Sequence, residues 1–113
     1  MTDKPEARPT VQLSPEQLRY EIRVGDEPAG FTQFVDDGAR RIFFHTEIDE
    51  RFAGRGLAST LIRAALADTT THGKRIVPLC PFVAGFVEKH DDFADFVDPV
   101  TPEAERTVRE ALR

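Results

Sequence analysis

The chain has 113 residues, 40% of them hydrophobic, and its 20 acidic against 15 basic side chains leave a formal charge of −5. That length holds one domain, and the acidic balance argues against general nucleic-acid binding, which rests on neutralising phosphates. The single cysteine, Cys80, excludes an internal disulfide, and no apolar run reaches the roughly 18 residues that span a bilayer. Together these features predict a cytoplasmic protein with neither a membrane nor a nucleic-acid partner.

Residues 1–15 are polar and rich in Pro and Thr, and they predict a disordered tail ahead of a single domain at 16–113. Leu18, Tyr20, Ile22 and Val24 then alternate with Arg19, Glu21 and Arg23, the period of a half-buried strand. Gly25-Asp26-Glu27-Pro28 reads as a turn, Ala29 to Val35 as a second strand, and Asp36-Asp37-Gly38 as a second turn. Arg41 to Ile48 reads as a third strand, with Ile42, Phe44, Thr46 and Ile48 on one face and Phe43, His45 and Glu47 on the other. Three strands joined by short turns predict an antiparallel meander.

From Leu57 the period becomes helical, through Leu61, Ile62, Ala65 and Leu66. Gly73 stands where a C′ residue belongs, so a helix is expected over 56–72. Arg75 to Leu79 reads as a short buried strand, and Pro81 opens a second helix over about 82–90. The stretch 91–98 has no clear period. Thr101 as N-cap, Pro102 at N1, and Glu103 and Glu105 in the first turn start a last helix ending near Leu112. The fold class is α/β (α+β): a mixed, mainly antiparallel sheet in the order β-β-β-α-β-α, plus a C-terminal helix.

The chemistry gathers between the third strand and the first helix, at Ile48-Asp49-Glu50-Arg51-Phe52-Ala53-Gly54-Arg55-Gly56-Leu57-Ala58-Ser59. Gly54 and Gly56 admit unusual backbone angles and leave no Cβ in a ligand's way. The amides of such a loop, and the first amides of the helix, can converge on an anion, with Arg51 and Arg55 at the rim. The spacing fits neither a P-loop nor a Rossmann loop. A plain glycine turn joining strand to helix has the same spacing.

Arg51-x-x-Gly54-x-Gly56-x-Ala58 resembles the Gln/Arg-x-x-Gly-x-Gly/Ala signature of GNAT-type N-acetyltransferases. The stretches His45-Thr46-Glu47 and Val77 to Val83 resemble a subfamily of small acetyltransferases that lack the N-terminal substrate-binding elements of larger members. The resemblance implies a GNAT-like fold, acetyl-CoA as cosubstrate, and pyrophosphate binding by Ile48, Arg51, Phe52, Ala53, Gly54, Arg55, Gly56, Leu57, Ala58 and Ser59. Ala53 stands where the family often has Arg, so Arg51 or Arg55 would supply that charge. Val87 takes the place of the usual Tyr acid, and Cys80 that of the usual Asn.

Amide formation from a thioester needs a deprotonated amine and an acid for the leaving thiolate. Cys80 precedes a helix, where a thiol can be activated. It is a candidate for protonating the CoA thiolate or for carrying the acyl group; an inert buried cysteine is the bland alternative. Glu47, near the end of the strand that feeds the loop, is a candidate general base, with His45 as base or orienter. A solvated strand carboxylate and an ordinary strand histidine are the competing readings. No paired spacing of His and Cys marks a metal site. The expected activity is acetyl transfer from acetyl-CoA to an unknown amine acceptor. The alternative is a non-catalytic acyl-CoA-binding or sensing module. A homodimer or a partner subunit could complete so small a substrate surface.

Overall fold

The computed structural model describes residues 8–113. A five-stranded sheet has the spatial order of the chain itself: β1 (Pro9–Ser14), β2 (Arg19–Val24), β3 (Glu27–Asp37), β4 (Arg40–Ile48) and β5 (Arg75–Pro78). The first four strands are antiparallel, and β5 joins β4 in parallel from Arg40↔Arg75 to Phe43↔Pro78. A parallel neighbour needs a crossover, and helix α1 (Leu57–Thr71) supplies it. Helices α2 (Pro81–Lys89) and α3 (Pro102–Ala111) follow. The expected order and mixed, mainly antiparallel sheet are thus observed, with one strand more.

The extra strand corrects the reading of the tail. Pro9–Ser14 pairs with β2 from Pro9↔Val24 to Ser14↔Arg19, and Val11 packs against the core. Thr10, Val11 and Leu13 are strand formers, and a tight turn closes the hairpin with Gln17 N–H donating to the Ser14 carbonyl at 3.2 Å. Leu18, expected in the strand, sits in that turn at φ 55°. Residues 1–7, the rest of the predicted tail, lie outside the described residues.

The two faces of the sheet carry separate cores. Tyr20, Ile22, Phe34 and Phe43 meet Leu57, Leu61, Ile62 and Leu66 of α1 and Val83 and Phe86 of α2 on one face. On the other, Val35, Ile42 and Val77 meet Ala104 and Val108 of α3. Helix α3 starts as the sequence predicts, its first turn capped by Thr101 Oγ1 accepting from Ala104 N–H at 3.1 Å.

A bulge in β4 overturns the expected alternation of that strand. The register passes from Phe34↔Phe43 to Gln33↔His45, which leaves Phe44 without a partner on β3. Ile42 and Phe44 therefore join the α3 cluster, whereas Thr46 is buried against Cys80, at the N-terminus of α2, and Ile48 packs on the α1 core.

Candidate functional site

Three features converge where β4 runs into α1. The first is the loop itself. Glu50–Phe52 forms one 3-10 turn, capped by Asp49 Oδ1, which accepts from Arg51 N–H at 2.9 Å. Phe52 is buried and anchors the turn to the core. Gly54 (φ 81°) and Gly56 (φ 73°) hold left-handed backbone that L-residues rarely adopt, and a Cβ at either would meet only open space. The chain is therefore folded tightly there without anything packed over it.

Gly56 is the N-cap of α1, and it has no side chain with which to cap the helix. The first turn also contains no acidic residue. The amides of Leu57, Ala58 and Ser59 thus keep their hydrogen-bonding capacity, and the positive end of the helix dipole is not offset. Helix α3 is the contrast within the same fold: Thr101, Glu103 and Glu105 satisfy its N-terminus.

The two loop arginines differ. Both guanidinium groups lie 5.2 Å from the centre of the Phe52 ring. Arg51 is held by Asp49 through two side-chain bonds of 3.2 Å and lies 3.7 Å from Glu27. Asp49 is pulled below the usual carboxylate range by those bonds from Arg51. Arg55 has no carboxylate within 4 Å among the described residues. It is the arginine of the loop whose charge is free for an external anion.

The second feature is the parting of β4 and β5. Their pairing stops at Phe43↔Pro78, and Cys80 N–H makes a last bond to the Phe43 carbonyl at 2.8 Å. Beyond this point β4 runs on to Ile48 with β3 on one side and, among the described residues, no strand on the other. Cys80 marks the crotch of the fork. It is 2% exposed, and its Sγ donates to Thr46 Oγ1 at 3.2 Å; Thr46 Oγ1 in turn lies 2.8 Å from Thr32 Oγ1. The two threonines were not singled out in the sequence, where they look like ordinary strand residues.

The third feature is the uncovered part of the sheet's second face. His45 Nε2 and Glu47 Oε2 are 2.7 Å apart, and both side chains are largely exposed. Neighbouring strand residues point to opposite faces. The structure therefore brings His45 and Glu47 together and puts Cys80, the partner of Thr46, across the sheet from them. Glu47 lies in the wall of a cavity of about 400 Å³ together with Arg19, Glu21, Arg23, Phe31 and Arg51, and the Phe31 ring centre is 6.0 Å from that of His45. The registers align Arg19–Gln33–His45 in one cross-strand row and Glu21–Phe31–Glu47 in the next. Arg19, Glu21 and Arg23 formed the polar side of the alternation in the sequence, which was the available signal that they line one surface.

A second groove, of about 270 Å³, continues from the loop between α1 and α2. Ala58 and Ser59 line it on one side, and Phe82, Phe86, Lys89 and His90 on the other. Among the described residues no group of three or more His, Cys, Asp or Glu side chains could hold a metal ion. Among those residues, too, no helix is long and apolar enough to cross a membrane.

Residues 19–96 match the sequence profile of a family described as GCN5-related N-acetyl-transferase. Five chains of solved structures match this one. Among them is the solution NMR structure of a GCN5-like protein from Staphylococcus aureus, provisionally named an N-acetyltransferase. It is 16% identical with a TM-score of 0.62, over 82% of this chain and 91% of that one. At that identity the likeness concerns the fold. No curated protein matches the chain.

Proposed function

Since the chain belongs to the GCN5-related N-acetyltransferase family, we propose that it moves an acetyl group from acetyl-CoA to an amine. The observation that carries this reading is the start of α1. An uncapped helix N-terminus, two left-handed glycines with open space above them and Arg55, without a carboxylate partner among the described residues, together suit a pyrophosphate. Residues 52–59 hold that group, with Ile48 and Arg51 beside it. The groove between α1 and α2, with Lys89 and His90, takes the nucleotide end. The free edge of β4 from Phe44 to Ile48 offers backbone groups to the pantetheine arm.

Acetyl-CoA supplies the activated carbonyl and the thiol leaving group. Glu47 takes the proton from the acceptor ammonium, and His45, bonded to it at 2.7 Å, orients it and passes charge to solvent. The amine nitrogen then bonds to the carbonyl carbon, the carbon–sulfur bond breaks, and the nitrogen gives one of its two hydrogens as a proton to the same pair, which has released the first to solvent, and keeps the other in the amide. The Cys80 thiol, at the fork, donates a proton to the leaving sulfur and recovers one from solvent. An acyl-carrier role would need a base at Sγ, and its hydrogen-bond partner there is the Thr46 hydroxyl. The acid role is therefore preferred.

Acetyl-CoA should raise the melting temperature and shift the amides of residues 52–59 in NMR spectra. If it does neither, the reading fails. One observation favours a binding or sensing module instead: Val87, where the family usually has a phenol, is an aliphatic residue packed on the core. Binding of acetyl-CoA with no transfer to a broad panel of amines, read by mass spectrometry, would select that alternative.

A further inference from the structure

The 400 Å³ cavity on the Glu47 face carries a charge pattern of which the transfer chemistry uses only Glu47. Among its charged walls, Arg19 is paired with Glu21 at 2.8 Å and Arg51 with Asp49. Two charges remain. Arg23 donates to the Asp26 carbonyl at 3.2 Å and has no carboxylate within 4 Å among the described residues. Glu47 has His45 as its nitrogen partner at 2.7 Å and no arginine or lysine within 4 Å among the described residues. The cavity thus presents, among those residues, one cation without a carboxylate partner and one anion without an arginine or lysine partner.

Their separation follows from the register. Glu47 is opposite Phe31, which is opposite Glu21, and Arg23 lies two residues along β2 from Glu21. With ordinary strand spacing and rise, the backbone points of Glu47 and Arg23 are about 12 Å apart. Both residues line the cavity, with Arg23 bonded to the Asp26 carbonyl, and between them lies the half-buried Phe31, whose ring carries the Arg19 guanidinium at 4.6 Å. A molecule that ends in an amine and a carboxylate, with a short apolar chain between, matches all three groups.

Resting on the acetyl-transfer reading above, we infer that the acceptor is a small amino acid whose reacting amine lies at the far end of a methylene chain from its carboxylate. Glu47 receives the amine, Arg23 holds the carboxylate, and the Phe31 ring supports the methylenes. A charge-assisted bond to a guanidinium is worth enough to set a preference of at least about tenfold in kcat/KM over the same chain without its carboxylate.

The matched probes are ε-aminocaproate and n-hexylamine, offered to the full-length protein with acetyl-CoA for turnover and with CoA for NMR titration. The expected result is at least tenfold higher kcat/KM for ε-aminocaproate, with amide shifts at residues 19–31. Arg23→Gln should bring the ratio of the two substrates close to one through KM, and Arg23→Lys should retain most of it. Preference for n-hexylamine, a ratio that Arg23→Gln leaves untouched, or no shift at 19–31 with millimolar ε-aminocaproate would overturn the inference. Shifts at 19–31 without any acetylated product would uphold this site while overturning the transfer reading.

Discussion

Cys80 Sγ donates a hydrogen bond to Thr46 Oγ1 across the fork of the sheet, at 3.2 Å. This contact joins the start of α2 to β4 where β4 and β5 no longer pair, and Thr32, 0% exposed, completes the chain from β3. Thr46→Val would strand the Thr32 hydroxyl in the core, and a buried unsatisfied hydroxyl costs about 1–3 kcal/mol. Chemical denaturation should show that loss, with Thr46→Ser recovering most of it.

The role given to Cys80 makes a separate prediction. Cys80→Ala should lower kcat while leaving the shift in melting temperature with acetyl-CoA in place, at a stability cost of about 1 kcal/mol for the small void. Rapid quenching of the unaltered protein during turnover should give no acetyl adduct on Cys80. An adduct that clears when amine is added would replace the acid role with that of an acyl carrier.

Glycine at position 56 is required by its φ of 73°. Gly56→Ala should destabilise the fold by about 1–2 kcal/mol, the cost of left-handed backbone for an L-residue, and should weaken acetyl-CoA binding further than stability alone explains. Arg55→Gln should weaken binding and reduce its salt dependence, as calorimetry at two ionic strengths would measure. Arg51→Gln should do less, because Asp49 and Glu27 already engage that side chain.

Tyr20 gives the fold an alkaline limit. Its hydroxyl donates to Asp68 Oδ2 at 2.7 Å and accepts from Arg41 Nη1 at 2.7 Å, and the residue is 2% exposed. Burial is the main cause that pushes the phenol from 10.0 up to about 12; Thr69 and Arg41 oppose it and Asp68 assists. The folded state therefore holds this proton more tightly than the unfolded chain. The stabilisation is complete below about pH 10 and is lost as pH rises from 10 to 12, a change of about 2–3 kcal/mol. The chain has one tyrosine and no tryptophan, so tyrosinate absorbance reads this residue alone. It should appear together with the loss of circular dichroism, and Tyr20→Phe should flatten the pH dependence. Titration near pH 10 with the fold intact would contradict this account.

Removing residues 1–14 should not be neutral, as it would be for a loose tail. It uncovers the β2 edge and strips Val11 from the core. The shortened chain should melt several degrees lower, and amides of Thr10 to Leu13 in the full chain should exchange slowly with solvent.

Much of this architecture is legible in the residues. The two-residue period of 19–24, the glycine at 73 and the Thr101–Pro102 start each reflect a local rule, and each element formed close to where that rule puts it. The loop at 48–59 is legible for the same reason, since positive φ demands glycine whatever surrounds it. The misses are tertiary. Strand β1 is polar on average because it is an edge, exposed at most positions, so composition resembles a tail. The bulge at Phe44 follows from pairing with β3 and leaves no mark in the β4 sequence. It alone decides that His45 and Glu47 take the face of Ile42 and Phe44, and Thr46, with Cys80, the face of Phe43 and the α1 core.

That division has a kinetic meaning. The α1–α2 groove lies on the α1 side of the sheet, and the Phe31–Glu47 cavity lies on the face that carries Glu47, with Asp49 and Arg51 of the loop in its wall. Donor and acceptor, so assigned, do not share a doorway. Either can arrive first, and either product can leave while the opposite side is occupied. Initial-rate plots should intersect, CoA should compete with acetyl-CoA but not with the amine, and abortive complexes of CoA with the unreacted amine should accumulate when both are in excess.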